Sequence, residues 1–310
     1  MKIQFENVNF NSRSGPDGFG LKLARRLLDT GHDPLPMQPA WDIQPDVRLT
    51  FIQGMNDFKP NVLRLDGIYF NSAQDWERMN EPIKRSYDFA DAVIVQSEFD
   101  KKLIFKFFGE RNNVFVIRNG TDTKIIQKIS VAHTNLPREK VWMCASSWRP
   151  HKRLLENIEL FEKVSSPDSI MLVAGSNAQE SAPDYVDHPR ISFLGDLPWD
   201  SMISYMKASG HFVHLSWLDH CPNVVIDAKV AGCKLHVSEA GGTVELVSSS
   251  DLVYRDSSFN LEPLELYNPP KMSLSSYSGL ADMKDLRITS CAKSYLEVLR
   301  ISHESFCTRA

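Results

Sequence analysis

The 310-residue chain has no excess of basic residues: 35 Lys and Arg stand against 39 Asp and Glu, a formal net charge of −4. A nucleic-acid backbone as main partner is therefore disfavoured, because such binding needs a basic footprint. No run approaches the ~20 apolar residues of a membrane span. The opening residues MKIQFENVNF lack the apolar core of a signal peptide. Cysteine is scarce: Cys144, Cys221, Cys233, Cys291 and Cys307 include no CxxC pair. An odd count without a signal predicts reduced thiols and a cytoplasmic protein, with peripheral membrane contact left open. His214, His220, Cys221, Cys233 and His236 fit no standard zinc-ligand spacing, so no metal is expected. A GxGxxG fingerprint is also missing, since Gly15, Gly18 and Gly20 are wrongly spaced for it. A dinucleotide-dependent oxidoreductase is thereby reduced to an alternative.

What the chain does contain is alternation of short apolar runs with amphipathic stretches. Strands are predicted at 3–10, 47–52, 62–65, 92–95 and 114–117, with helices at 76–89 and 100–107. The stretch 14–20 reads as a glycine-bearing loop leading into a helix whose face carries Phe19, Leu23, Ala24 and Leu27. Little lies between His32 and Val47, so one strand–helix unit looks to be missing. A second series follows Pro137, with strands at 141–145, 170–174, 191–194, 212–215, 235–237 and 252–254. Its helices are predicted at 154–164, 200–207, 223–231 and 243–248. Such alternation implies an α/β fold of parallel sheets covered by helices. The polar stretch 129–138 marks a boundary. Two domains are expected, at 1–130 and 131–283, followed by a helix in 284–310. Residues 256–282, rich in Ser and Pro, read as a connecting loop.

In open α/β sheets ligands gather at the carboxyl ends of strands, so unusual strand-end loops carry the functional signal. The segment Ser216-Trp-Leu-Asp-His-Cys-Pro-Asn-Val-Val-Ile-Asp leaves a strand and enters a helix, with Asp219 in the loop and Asp227 inside the helix. Paired carboxylates so placed can accept hydrogen bonds from sugar hydroxyls. The next strand leads to Glu239-Ala-Gly-Gly-Thr, where Gly241 and Gly242 precede a predicted helix start suited to an anion. A third loop, Ser146-Ser-Trp-Arg-Pro-His-Lys-Arg, puts Arg149 and Lys152 where cations would meet a diphosphate.

The order of Asp219, Asp227, Ala-x-x-x-Gly, Gly241-Gly242 and Glu245-Leu-Val resembles the retaining GT-B glycosyltransferases of glycosyltransferase family 4. Further similar stretches are Arg118-Asn-Gly-Thr-Asp, Asp91-Ala-Val-Ile-Val-Gln-Ser-Glu, the Gly15-Pro-Asp-Gly-Phe-Gly loop and Gly31-His32. Together they cover about residues 1–250. The resemblance implies two Rossmann-like domains facing a central cleft. It also implies a transferase moving a sugar, with retention, from a nucleoside-diphosphate sugar to a glycan, lipid-linked or small-molecule hydroxyl. In that reading Arg149 and Lys152 neutralise the diphosphate, Asp227 holds the ribose, and Asp219 meets the transferred sugar. Gly241, Gly242 and Thr243 line the diphosphate and sugar, and Asn223 adds to the donor site. Gly195 and Leu197 lie against the base, and Gly15 and Gly18 let the N-terminal loop approach. No cofactor or metal is implied, because basic residues supply the neutralising charge.

Departures from the family pattern are specific. Both acidic positions are usually Glu and here are Asp, and Arg149 and Lys152 stand closer together than usual. Where the family often has a histidine, this chain reads Val62-Leu-Arg-Leu-Asp-Gly, so Asp66 is the replacement candidate. Plainer readings remain open: Asp219 and Asp227 as a solvated loop acid and a dipole-stabilised helix acid, Arg149 and Lys152 as surface cations, and Asp66 as a turn former. A non-catalytic nucleotide-sugar-binding relative is the other alternative.

Overall fold

A computed structural model of the chain describes residues 1–12, 14–37, 44–279 and 285–308. It divides into two compact units, one of Met1–Asp122, Leu261–Pro263 and Asp285–Ala310, the other of Thr123–Asn260 and Leu264–Lys284.

The first unit is built on six strands: β1 (Lys2–Glu6), β2 (Asp33–Pro36), β3 (Val47–Phe51), β4 (Asn61–Leu65), β5 (Ala92–Val95) and β6 (Val114–Val116). Their spatial order is β2-β1-β3-β4-β5-β6, every neighbour parallel. Helices α1 (Gly15–Asp29), α2 (Trp76–Phe89) and α3 (Glu98–Phe108) connect them. β3, β4 and β5 are buried along their whole length, as expected of central parallel strands covered on both faces. The C-terminal helix Ile288–Cys307 belongs to this unit. Ile288, Cys291, Ala292, Tyr295, Val298 and Leu299 recur at helical spacing and join a core with Ile3, Phe5, Phe19, Leu23 and Phe51.

Three expectations are corrected here. The first strand stops at Glu6, because Asn7 turns the chain with φ +59°. The predicted 14–20 loop is helical from Gly15. Ser14 caps it, accepting the Asp17 amide at 3.2 Å, and Pro16 suits the first turn. Of the strand–helix unit expected to be missing between His32 and Val47, the strand is present as β2, which Pro34 and Pro36 disguised, while no helix stands between β2 and β3 among the described residues. β2 lies at the sheet edge, where a missing N–H is tolerated.

The second unit begins with α4 (Thr123–Lys128) and contains β7 (Val141–Ala145), α5 (Leu154–Val164), β8 (Ile170–Ala174), α6 (Ala178–Ser181), β9 (Ile191–Gly195) and α7 (Trp199–Ala208). It continues through β10 (His211–His214), α8 (Asn223–Val230), β11 (Lys234–Ser238), β12 (Leu252–Tyr254) and β13 (Ser276–Ser278). The order is β13-β12-β11-β10-β7-β8-β9, and β13 alone runs antiparallel. β13 falls within the stretch expected to be loop. The helix expected at 243–248 is a 3-10 turn, Thr243–Leu246, which Val247 ends by returning to extended backbone. From β7 the chain winds outward through β8 and β9, then returns to the other side of β7 and winds through β10, β11 and β12. The gap between the carboxyl ends of β7 and β10 is therefore the topological switch point, where doubly wound sheets bind ligands. No described helix is long and apolar enough to cross a membrane.

Candidate functional site

The loop leaving β7 is held on both sides. Gly175, at φ +108°, lets the loop after β8 touch it: a Cβ there would stand 1.8 Å from the Ser146 carbonyl oxygen. Trp148 is a packing residue, buried, with its indole N–H donating to Ala174 O at 2.9 Å. The chain then makes a 3-10 turn, Pro150–Lys152, and enters α5 through Arg153 in the left-handed region at φ +53°. Arg153 is fully buried and paired with fully buried Asp256 at 2.5 Å, and it donates to Pro270 O at 2.7 Å. Its guanidinium lies over the Trp217 ring. Asn157 of α5 accepts the Leu215 amide at 3.2 Å, tying this loop to the end of β10.

The loop leaving β10 meets it. Trp217 N donates to His151 O at 2.8 Å. Lys152 Nζ lies 2.6 Å from Asp219 Oδ2, and His214 Nε2 lies 3.1 Å from the same oxygen. Asp219 Oδ1 accepts the His220 amide at 3.1 Å. The glycine loop after β11 fixes the Asp219 backbone. Gly242 N donates to Asp219 O at 2.7 Å, and Gly241, at φ +86°, has no room for a Cβ, which would fall 2.6 Å from that oxygen. Two of the three loops named from sequence thus close on one carboxylate. Burial alone would raise the Asp219 pKa, but Lys152 and His214 outweigh it and hold the carboxyl well below its ordinary range. Arg149 is exposed and makes no ion pair with a described residue.

Asp227 is only 2% exposed, and its Oδ2 accepts the Trp199 indole N–H at 2.8 Å. Trp199 opens α7 directly after Gly195, the last residue of β9 at φ +66°, and a short loop with half-buried Leu197. The helix that directly follows the loop expected to lie against a base is therefore bonded to the acid expected to hold a ribose. Asn223 begins α8 and is half-buried. Five buried polar atoms around these loops have no hydrogen-bond partner among the described residues: His151 Nδ1, Arg153 Nε, Ser216 Oγ, Trp217 Nε1 and Thr243 Oγ1. Unpaired buried polar atoms are rare and costly. In the first unit, Asp66 is ion-paired with Arg64 and accepts from Gln96 Nε2. Arg64, buried in β4, also donates to Tyr295 Oη and Asn119 Oδ1. Gly15 and Gly18 lie in the first turn of α1, and the space beside Gly18 is open.

Arg153, Asp256 and Trp199 were not singled out from the sequence, and His214 was weighed there only as a zinc ligand. His214 sits in an apolar strand, and no ligand spacing marked it. Asp256, two residues past β12, was a strand-end acid and so a legible signal.

Two buried histidines give the second unit an acid limit. Burial, reinforced by Lys152, pushes His151 down to about 3. Burial, reinforced by His211, does the same to His236, which hydrogen-bonds Tyr254 Oη at 3.0 Å. Both are neutral when folded and bind protons when unfolded, so the stability they permit is complete above pH 6.5 and falls as the pH drops below it. Each pH unit costs up to about 1.4 kcal/mol per histidine. The urea midpoint is expected to fall steadily from pH 6.5 to 4.5, and less steeply in His236→Gln. A midpoint equal at both pH values would contradict this.

No protein-family profile matches the chain, and no curated protein matches it. Solved structures do. Sucrose-phosphate synthase from Thermosynechococcus elongatus superposes with a TM-score of 0.65 at 14% identity, over 99% of this chain and 97% of that one. Anabaena Alr3699/HepE in complex with UDP gives 0.62 at 16%, over 99% and 100%. The catalytic domain of starch synthase IV from Arabidopsis thaliana, bound to ADP and acarbose, gives 0.69 at 10%, over 97% and 99%. At such identities the likeness is one of fold, and the fold is the GT-B fold of glycosyltransferases.

Proposed function

We propose that the chain transfers a glycosyl group from a nucleoside-diphosphate sugar to a hydroxyl acceptor, with the donor bound at the carboxyl ends of the second unit's strands. The observation that carries this reading is the convergence of Lys152, Asp219 and the Gly241-Gly242 loop at the β7–β10 switch point. The fold supports it, since structures of the same fold hold UDP or ADP. Cleaving the sugar–phosphate bond leaves an oxocarbenium-like sugar and a diphosphate with growing negative charge. Fixed cations facing that charge are the largest expected contribution to rate. Lys152 and Arg149 take this task, and Asp227 with Trp199 takes the nucleoside end. Retention follows if acceptor and leaving group share one face, the departing phosphate oxygen accepting the hydroxyl proton. Neither a protein nucleophile nor a metal is then needed. Asp66 is the acidic candidate of the first unit, proposed to serve a glycan, lipid-linked or small-molecule acceptor.

The reading is tested by titrating UDP, ADP and GDP into the chain by calorimetry, and by following nucleotide release from the corresponding glucose and mannose donors. One nucleotide should bind with micromolar affinity and its sugar donor should turn over, even if slowly to water. Asp227→Ala should weaken binding of that nucleotide about tenfold or more, the loss of a hydrogen bond to a charged group. Binding of none of the three would sink the proposal.

A further inference from the structure

We infer that His214 is a positioning residue: through Asp219 it sets the place of the Lys152 ammonium. The inference rests on the donor-site reading above and concerns how that site keeps its cation in register.

The geometry is a relay through one atom. Asp219 Oδ2 receives both Lys152 Nζ, at 2.6 Å, and His214 Nε2, at 3.1 Å. Asp219 Oδ1 receives the backbone amide of His220 at 3.1 Å. Both carboxylate oxygens are thus fixed from the protein side, so the plane of the carboxylate is defined. His214 is the last residue of β10, buried at 4% exposure, so its own position is set by the sheet. A carboxylate can only accept, so Nε2 carries the hydrogen and His214 donates. Burial keeps the imidazole pKa below its ordinary value despite the pull of Asp219, so the ring is neutral and adds no charge to compete with Lys152.

Lysine needs such an anchor. Its ammonium is a point charge on four flexible methylenes with no preferred direction of its own. Lys152 also leaves a 3-10 turn too short to fix it, between Pro150 and the left-handed Arg153. A group displaced by an ångström can lose a hundredfold in rate. Asp219 therefore spends its hydrogen-bonding capacity on holding Lys152 and on being held by His214. That leaves one lone-pair direction on Oδ1 for any sugar hydroxyl. The short Asp side chain suits this arrangement, because it keeps the carboxylate close to the strand end where His214 can reach it.

The test is a double-mutant cycle on the full chain, with UDP-glucose and ADP-glucose as donors. His214→Phe keeps the ring volume and removes the donor; His214→Gln puts an N–H where Nε2 was. His214→Phe should lower kcat about 10- to 100-fold with KM changed less than threefold, and His214→Gln should recover most of it. In a Lys152→Met background, His214→Phe should cause no further loss, because the residue acts through a cation already gone. Full activity in His214→Phe, or losses that multiply in the double variant, would overturn the inference. A second readout does not need turnover. Acetylation of Lys152 by an N-hydroxysuccinimide ester, followed by mass spectrometry, should be several times faster in His214→Phe than in the wild type. Should that variant not fold, Asp219→Asn must show the same acceleration, and unchanged labelling overturns the inference. Accelerated labelling in a chain that binds none of UDP, ADP and GDP would instead support the relay and reject the glycosyl-transfer reading.

Discussion

Lys152→Met is expected to lower turnover of the accepted sugar donor by about 100- to 1,000-fold, the cost of removing one fixed donor from a developing oxyanion. The effect should fall more on kcat than on KM. The diphosphate carries most of its extra charge only as the sugar departs, and an interaction stronger in the transition state appears in kcat. Lys152→Arg should recover little. The Asp219 oxygen facing Lys152 is shared with His214, and a planar guanidinium cannot take the place of a compact ammonium there. Arg149→Ala should cost less, because that side chain is exposed and held by no ion pair with a described residue. Initial rates of nucleotide release measure all three. Equal rates for Lys152→Met and the wild type would remove Lys152 from the chemistry.

The second large effect is on stability. Arg153→Met is expected to destabilise the second unit by about 3–5 kcal/mol, because Asp256 then stays buried without its counter-charge. Ser238 Oγ still donates to Asp256 Oδ2 at 2.6 Å and the Ser257 amide to Oδ1 at 2.8 Å, but two neutral hydrogen bonds do not compensate a buried carboxylate. Arg153 also leaves an empty space against Trp217 and an unpaired carbonyl at Pro270. Arg153→Met combined with Asp256→Leu should regain a large part of the loss, since no charge is then stranded. Urea unfolding followed by tryptophan fluorescence reports the difference. A single variant as stable as the double variant would show that the pair is not what holds the β7 and β12 ends together.

The architecture was largely legible because central parallel strands are continuous apolar runs. Val141–Ala145 and Trp76–Phe89 were placed to the residue. β2 was hidden by prolines that only an edge strand tolerates, and β13 by its serine-rich context, since its pairing with β12 is non-local. The Thr243 helix failed for a different reason. A glycine pair before an apolar run fits a helix start and a single 3-10 turn equally well, and the return to extended backbone at Val247 decides it. In the site, sequence identified acids, cations and glycines by type but not who meets whom. The Lys152–Asp219 pair spans 67 residues, and it depends on left-handed backbone at Leu218 and Gly241. The 3-10 turn also changes the expected role of Gly242. Its amide is engaged by the Asp219 carbonyl, so the glycine loop positions Asp219 as well as offering Thr243, whose buried hydroxyl lacks a partner among the described residues.

The proposed function requires that the second unit hold a nucleoside diphosphate at the ends of β7 and β10. A crystal structure of the chain grown with the nucleotide selected by calorimetry tests it most directly. Diphosphate oxygens are expected within hydrogen-bond distance of Lys152 Nζ and Thr243 Oγ1, with the ribose against Asp227. A diphosphate bound anywhere else on the chain, with Lys152 still paired to Asp219 alone, would contradict it.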